Sequence, residues 1–300
     1  MKKQGFRLAS FQLTEGVKFM LISTFCFTMM QALIKYIPRG HIPTVEQTFF
    51  RSFITGIFCL VFIWRNKISF AIKNPKLIFI RSVVGTISMF SFFYILPRMP
   101  LGSSVTIKYL SPIFTALFAV MLLKEKMKAQ QWIYILMSFV GVLLLKGFDS
   151  RIALLDLGIG LISAISGGLL YVILRQIGDD DNTYIVVFYF MMIASVISFV
   201  GMLPYWVSPN GNDYLTFLGI GFAGFLAQIY MTKAFQQQED ANYIAQFKYL
   251  EAAYAIIIGY IWFGETYNLI SFGGIILIFV SLLLTVRLKS KQRNTDLGNL

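Results

Sequence analysis

Ten stretches of mostly apolar residues follow one another along this chain, joined by connections too short to hold a domain. They cover residues 17–36, 45–64, 77–96, 103–123, 130–145, 154–174, 184–204, 214–234, 243–263 and 267–286. A hydrocarbon core about 30 Å thick needs roughly 20 helical residues to cross it; the stretch at 130–145 is the shortest of the set. Inside hydrocarbon every backbone amide needs an internal partner, so the spans predict helices and an all-α polytopic membrane protein. With 57% hydrophobic and 13% charged residues, nothing is left over for a sizeable polar domain. The basic start at Lys2 and Lys3 resembles a signal peptide, but 17–36 is long enough to be a retained first span.

The net charge of +12 invites a nucleic-acid reading until the basic residues are placed. Counting spans alternately, Arg65, Lys67, Lys73 and Lys76 fall on the same side as the termini, as do Lys124, Lys126, Lys128, Lys233 and the tail. Lys35, Arg39, Arg98, Lys146 and Arg151 fall on the other. Basic loops stay cytoplasmic, so both termini are expected inside a plasma membrane, in a bacterial inner membrane by expectation, and no nucleic-acid partner is required. Cys26 and Cys59 lie within apolar spans and read as small hydrophobes.

The chain repeats itself. Lys108, Tyr109 and Leu110 recur 140 residues on as Lys248, Tyr249 and Leu250, and Glu125 and Trp132 correspond to Glu265 and Phe272 at the same offset. Each half holds five spans, an odd number, so the second must insert inverted relative to the first. The organisation expected is a first repeat at 15–148, a second at 153–287 and a basic cytoplasmic tail at 288–300. Inverted repeats place a substrate site near the midplane, between halves that rock.

Residues 81–145 resemble the EamA-type module of the drug/metabolite transporter superfamily: a third helix rich in small residues, a fourth with Ser111 and Pro112, a closing Glu125, and a fifth with Gly141. The second half follows the pattern from Lys233 to Glu265, with Glu251 and Ala252 in place of Ser111 and Pro112. Within the superfamily, FFRSF at 49–53, IRSVVG at 80–85 and FKYLE at 247–251 are most similar to S-adenosylmethionine importers. The resemblance implies a secondary transporter moving a small organic metabolite by alternating access, S-adenosylmethionine or an amino-acid-like solute leading, with export as an alternative. It implies no cofactor, and a monomer or homodimer whose partners are the bilayer and the small-molecule substrate.

Polar residues at helical spacing mark where such a substrate would sit. One face of the first span carries Thr24, Thr28, Gln31 and Lys35; of the second, Thr44, Thr48, Arg51 and Thr55; of the fourth, Ser104, Lys108, Ser111 and Thr115. Gln228 and Thr232 share a face of the eighth, and Lys248 and Glu251 stand three apart on the ninth. Pseudo-symmetry brings Lys108 and Lys248 toward a common cavity with Arg51, giving a net positive pocket that favours a carboxylate or phosphate, which Arg51 could grip bidentately. Tyr249 and Tyr171 either stack on substrate or pack structurally. Each lysine either faces the cavity or snorkels to the interface, and Lys248 and Glu251 either neutralise one another or touch substrate. Glu251 is the proton-coupling candidate, and Pro112 is expected to kink the fourth span and to help gate it. Glu46, Glu125 and Glu265 read as helix-end residues.

An intramembrane enzyme acting on a lipid-linked substrate is the alternative of another class. The single histidine, His41, stands in a predicted loop, Asp179, Asp180 and Asp181 read as a solvated turn, and no nucleophile or metal-ligand motif is visible, so no enzymatic activity is expected. Neither a selectivity ring for a channel nor a nucleotide-binding loop for a pump is legible.

Overall fold

In the computed structural model, residues 13–37, 41–95, 98, 107–146, 153–237, 239–264 and 269–298 are described, and among them the regular structure is entirely helical. The first half contains α1 (Glu15–Tyr36), α2 (Thr44–Arg65), α3 (Pro75–Ile95), α4 (Ser111–Leu122) and α5 (Ala129–Lys146). The second contains α6 (Leu154–Ile177), α7 (Thr183–Met202), α8 (Gly211–Gln236), the short α9 (Ala241–Gln246), α10 (Leu250–Phe263) and α11 (Leu269–Gly298). Helices α1, α2, α3, α6, α7 with its 3₁₀ extension, and α8 are each long and apolar enough to cross a membrane; Ser111–Leu122, Ala129–Leu144 and Phe272–Leu288 are shorter apolar segments. The last helix runs on to Gly298, through the stretch expected as a tail after the final span.

The distribution of side chains is that of a protein dissolved in lipid. Phe25, Phe79, Ile133, Val196 and Leu269 point outward, while Arg51, Arg81, Glu46, Lys248 and Glu251 are inside. Contiguous exposed apolar surface on this scale requires a non-aqueous surrounding, and the protein is a multi-pass membrane protein.

The 140-residue offset reappears as a packing rule. α1 lies along α8 and its counterpart α6 lies along α3, whereas α2 faces its own counterpart α7 and α5 faces α11. Each long helix therefore completes its packing with the opposite half. Equivalent hydroxyls stitch the equivalent seams: Ser23 Oγ donates to the Ala227 carbonyl at 2.8 Å, and Ser163 Oγ donates to the Ser88 carbonyl at 2.7 Å, with Ser88 Oγ returning a bond to Ser163 at 2.8 Å. Ser138 and Ser281 meet at 2.7 Å between α5 and α11. Between helices in lipid, where burying apolar surface gives no drive, such bonds contribute about 0.6 kcal/mol each.

Of the acidic residues expected at helix ends, Glu46 stands in the first turn of α2 and Glu125 just beyond α4, both tied down by hydrogen bonds, and Glu265 lies outside the described residues. Glu46 accepts the Val207 N–H at 3.1 Å. Glu125, in the connection between α4 and α5, accepts the Ala241 N–H at 2.8 Å and the side-chain amide of Asn242, so a carboxylate from one half caps the first turn of α9 in the other. Burial pushes the Glu125 carboxyl above its ordinary value, the bonds from Ala241 pulling it back. Glu125→Ala should lower stability by about 1–2 kcal/mol, read as a lower Tm in detergent. Glu125→Gln keeps an acceptor without the buried charge and should unfold close to the native temperature; equal losses in both variants would contradict the capping role. Asp181, expected in a solvated turn, is likewise buried and accepts the backbone N–H groups of Lys73 and Asn74 at 2.6 and 3.0 Å.

Candidate substrate site at the helix interruptions

The repeated Lys-Tyr-Leu motif stands where the backbone leaves the α-helix in both halves. In the first, helical residues 107–108 give way to a turn at 109–110 before α4 begins at Ser111. Pro112 explains the break: its ring displaces the carbonyl four residues back, that of Lys108, and it sits in the first turn of α4, where its missing N–H is no loss. The freed Lys108 carbonyl accepts from Ser111 Oγ at 2.6 Å, so this serine serves its own turn. In the second half the break is a 3₁₀ turn, Phe247–Tyr249, with no proline. Lys248, in the 3₁₀ turn, and Glu251, in the first turn of α10, stand three apart and so fall on one side of the chain. The two side chains are hydrogen-bonded and only 6% and 1% exposed, so Lys248 does not snorkel.

Around this ion pair the two halves converge. Gln31 donates to Glu251 Oε2 at 3.3 Å from α1, while the Lys248 ammonium lies 4.4 Å from the Phe27 ring centre and 6.0 Å from that of Tyr171. Lys108, from the opposite interruption, rests over Phe92 at 4.6 Å and is within electrostatic reach of Glu251, Lys248 and Arg51. Tyr109 and Tyr249 approach across the two breaks with centroids 6.1 Å apart; the Tyr249 hydroxyl is buried and has no hydrogen-bond partner among the described residues. Tyr171 stacks on Phe235 at 4.6 Å.

Arg51 comes in from α2. Its only hydrogen-bond contact among the described residues is a weak one from Nη1 to the Met89 sulfur at 3.7 Å, and its Nε is unpartnered. Gly224 lies beside it, a Cβ there being in ordinary contact at 3.8 Å from Arg51 Cγ. Gln228, one turn along α8, is occupied by a residue that sequence reasoning did not single out as a site candidate: Arg81 of α3, the largest fully buried side chain, donates to Gln228 Oε1 at 3.4 Å. Placed five residues into its span, Arg81 reads in sequence like an arginine reaching for the interface. The signal that could have exposed it is the register Arg81, Gly85, Met89, which puts it on the face that Arg51 meets.

The structure thus brings together Arg51, Lys108, Lys248, Glu251 and Gln31, sets Tyr249 and Gln228 at the margins, and leaves Ser111 and Pro112 shaping the backbone. Four cations, counting Arg81, accompany one carboxylate. Chemically this arrangement suits an anionic ligand.

Comparison with known proteins gives the context. The chain matches the EamA-like transporter family over residues 14–146 and 156–287, one match to each half. It is 25% identical to the pseudopaline exporter CntI of Pseudomonas aeruginosa, covering 92% of this chain and 98% of that one. It is 30% identical to an uncharacterised transporter of Helicobacter pylori over 90% of this chain and 93% of that one. An S-adenosylmethionine uptake transporter of Rickettsia prowazekii is 24% identical over 94% of this chain and 95% of its own length. A solved crystal structure superposes with a TM-score of 0.80 at 16% identity, covering 92% of this chain and 99% of the other, a likeness of fold alone. With both halves matched, the chain belongs to the EamA-like transporter family.

Proposed function

We propose that this protein is a secondary carrier for a small, carboxylate-bearing, amino-acid-like metabolite, crossing a bacterial plasma membrane ten times with both termini in the cytoplasm. The observation that carries the reading is the buried cluster of Arg51, Lys108, Lys248 and Glu251 at the paired helix interruptions. Ionisable groups inside a membrane are expensive and are kept where they meet a solute or a proton; broken helices at the midplane of inverted repeats are where carriers place them. Arg51 holds the carboxylate, Lys108 and Lys248 supply the surrounding field, and Glu251 exchanges its lysine for a proton as access alternates. S-adenosylmethionine, which bears an amino-acid head, is a candidate because a relative is named for its uptake. Export is the second reading, favoured by the relative named an exporter. Relatives named as transporters support a carrier over an intramembrane enzyme.

The test is uptake by proteoliposomes of labelled S-adenosylmethionine, amino acids and nucleosides, with and without a proton gradient, in either orientation of the gradient. Saturable uptake of one solute, reduced roughly 10- to 100-fold in Arg51→Ala as expected for loss of a hydrogen bond to a charged group, supports the site. Glu251→Gln, which leaves Lys248 a neutral hydrogen-bond acceptor in place of its counter-charge, should keep exchange in the fraction that folds and lose gradient-driven accumulation. Full accumulation in that variant would remove Glu251 from coupling, and conversion of a lipid-linked substrate without movement of any solute would point to the enzyme.

A further inference from the structure

Arg81 is not explained by the cluster described above. It is 0% exposed, lies on α3, and has no carboxylate within ion-pair distance among the described residues. Its guanidinium is clamped by neutral groups: the Phe190 ring at 3.9 Å from Cζ and the Gln228 side-chain oxygen at 3.4 Å. Nε and Nη1 make no hydrogen bond to any described residue. Removing a charged guanidinium from water without a counter-charge costs several kcal/mol even after relaxation, and a ring face with one amide offsets only part of that. The side chain is held, oriented and left with donors to spare.

Arg51 shares these traits and neighbours the same two helices, α3 and α8. On α3 its contact is Met89, while Arg81 is followed one turn on by Gly85, where a Cβ would lie 3.4 Å from Arg81 Nη1. On α8 Gly224 flanks Arg51 and Gln228 holds Arg81. On both helices the two neighbourhoods are separated by one turn, four residues at 1.5 Å each, or about 6 Å. Two carboxylates on a short carbon chain match this spacing, one to each guanidinium.

We infer that Arg81 and Arg51 form tandem anion subsites and that the transported solute carries two carboxylate groups, one for each arginine. This rests on the carrier reading of the site and narrows it: S-adenosylmethionine, with one carboxylate, would engage only one of the two. Arg81 is thereby a specificity-determining residue, separating dicarboxylates from monocarboxylates, while Gln228 and Phe190 position it.

The experiment is thermal unfolding of the purified full chain in detergent, titrated with glutarate, butyrate, inorganic phosphate and S-adenosylmethionine at constant ionic strength, for the native protein and Arg81→Met. Glutarate should raise the native Tm at concentrations at least about tenfold lower than butyrate or phosphate, as one further charge-assisted bond provides. Arg81→Met should unfold at or above the native temperature without ligand, because an unpaired buried charge has been replaced by an apolar chain of similar length, and its response to glutarate should fall to that of butyrate. Glutarate acting no better than butyrate or phosphate in the native protein, an undiminished glutarate response in Arg81→Met, or a lower Tm of unliganded Arg81→Met would each overturn the assignment, the last by making the arginine a structural tie between α3 and α8. A glutarate response in detergent without solute movement in proteoliposomes would overturn the carrier and leave the subsites; solute movement without a glutarate response would do the reverse.

Discussion

Glu251→Ala is expected to destabilise the protein by on the order of 3–5 kcal/mol, because it strands the Lys248 ammonium in a site where that lysine is almost wholly buried. The loss should appear as a large drop in Tm and as poor recovery from the membrane. Gln31 and the Thr28 hydroxyl, which contact Glu251 through its side chain and its carbonyl, lose a partner in the first case and keep it in the second. The informative companion is the double replacement Lys248→Met with Glu251→Leu. Removing both charges leaves no orphan, so most of the lost stability should return while transport does not. If the double variant is as unstable as the single one, the pair is a packing element of the 3₁₀ turn, and its charge is incidental.

Gly168→Val should have the next largest effect. A Cβ at Gly168 would stand 2.6 Å from Phe114 Cβ, 2.8 Å from the Thr115 nitrogen and 2.9 Å from the Phe114 carbonyl carbon. These are mostly backbone atoms of α4 and cannot rotate away, so α4 and α6 must separate, at a cost of about 1–3 kcal/mol or more. Separation would also lengthen the contact of Thr115 Oγ1 with the Gly168 carbonyl, already 3.5 Å. Gly158 on the same helix is the control. Nothing lies within 4 Å of a Cβ there, and Gly158→Ala should be neutral or stabilising by up to about 1 kcal/mol. Equal Tm values for both variants would show that α4 does not pack on α6 as closely as described.

The helices were legible because hydrocarbon allows so little else: long apolar runs and the internal repeat led to an all-helical chain of two repeats without any side-chain geometry. The site was less so, and its residues show why. Lys248 and Glu251 could be paired from a spacing of three. Ser111 was expected to line a cavity, and its hydroxyl also donates to the Lys108 carbonyl that Pro112 releases, a bond set by local backbone geometry rather than by face. Arg81 and Glu125 depend on partners far along the chain, Gln228 and Ala241, and helical periodicity carries no information about which residues of another half will be adjacent. An arginine near the start of a span has the same sequence signature whether it turns inward or snorkels.

The cap that Glu125 provides has a consequence in time. Its partner Ala241 is 116 residues further on, and at about 5–20 residues per second synthesis of that stretch occupies roughly 6–23 s. Throughout that interval the Glu125 carboxylate is without the backbone it caps, and α1 and α3 have their seams toward α8 and α6 unfilled or only partly filled. The half-made protein therefore waits for the second half to complete it, α6 closing on α3, α7 on α2, α8 on α1 and α11 on α5.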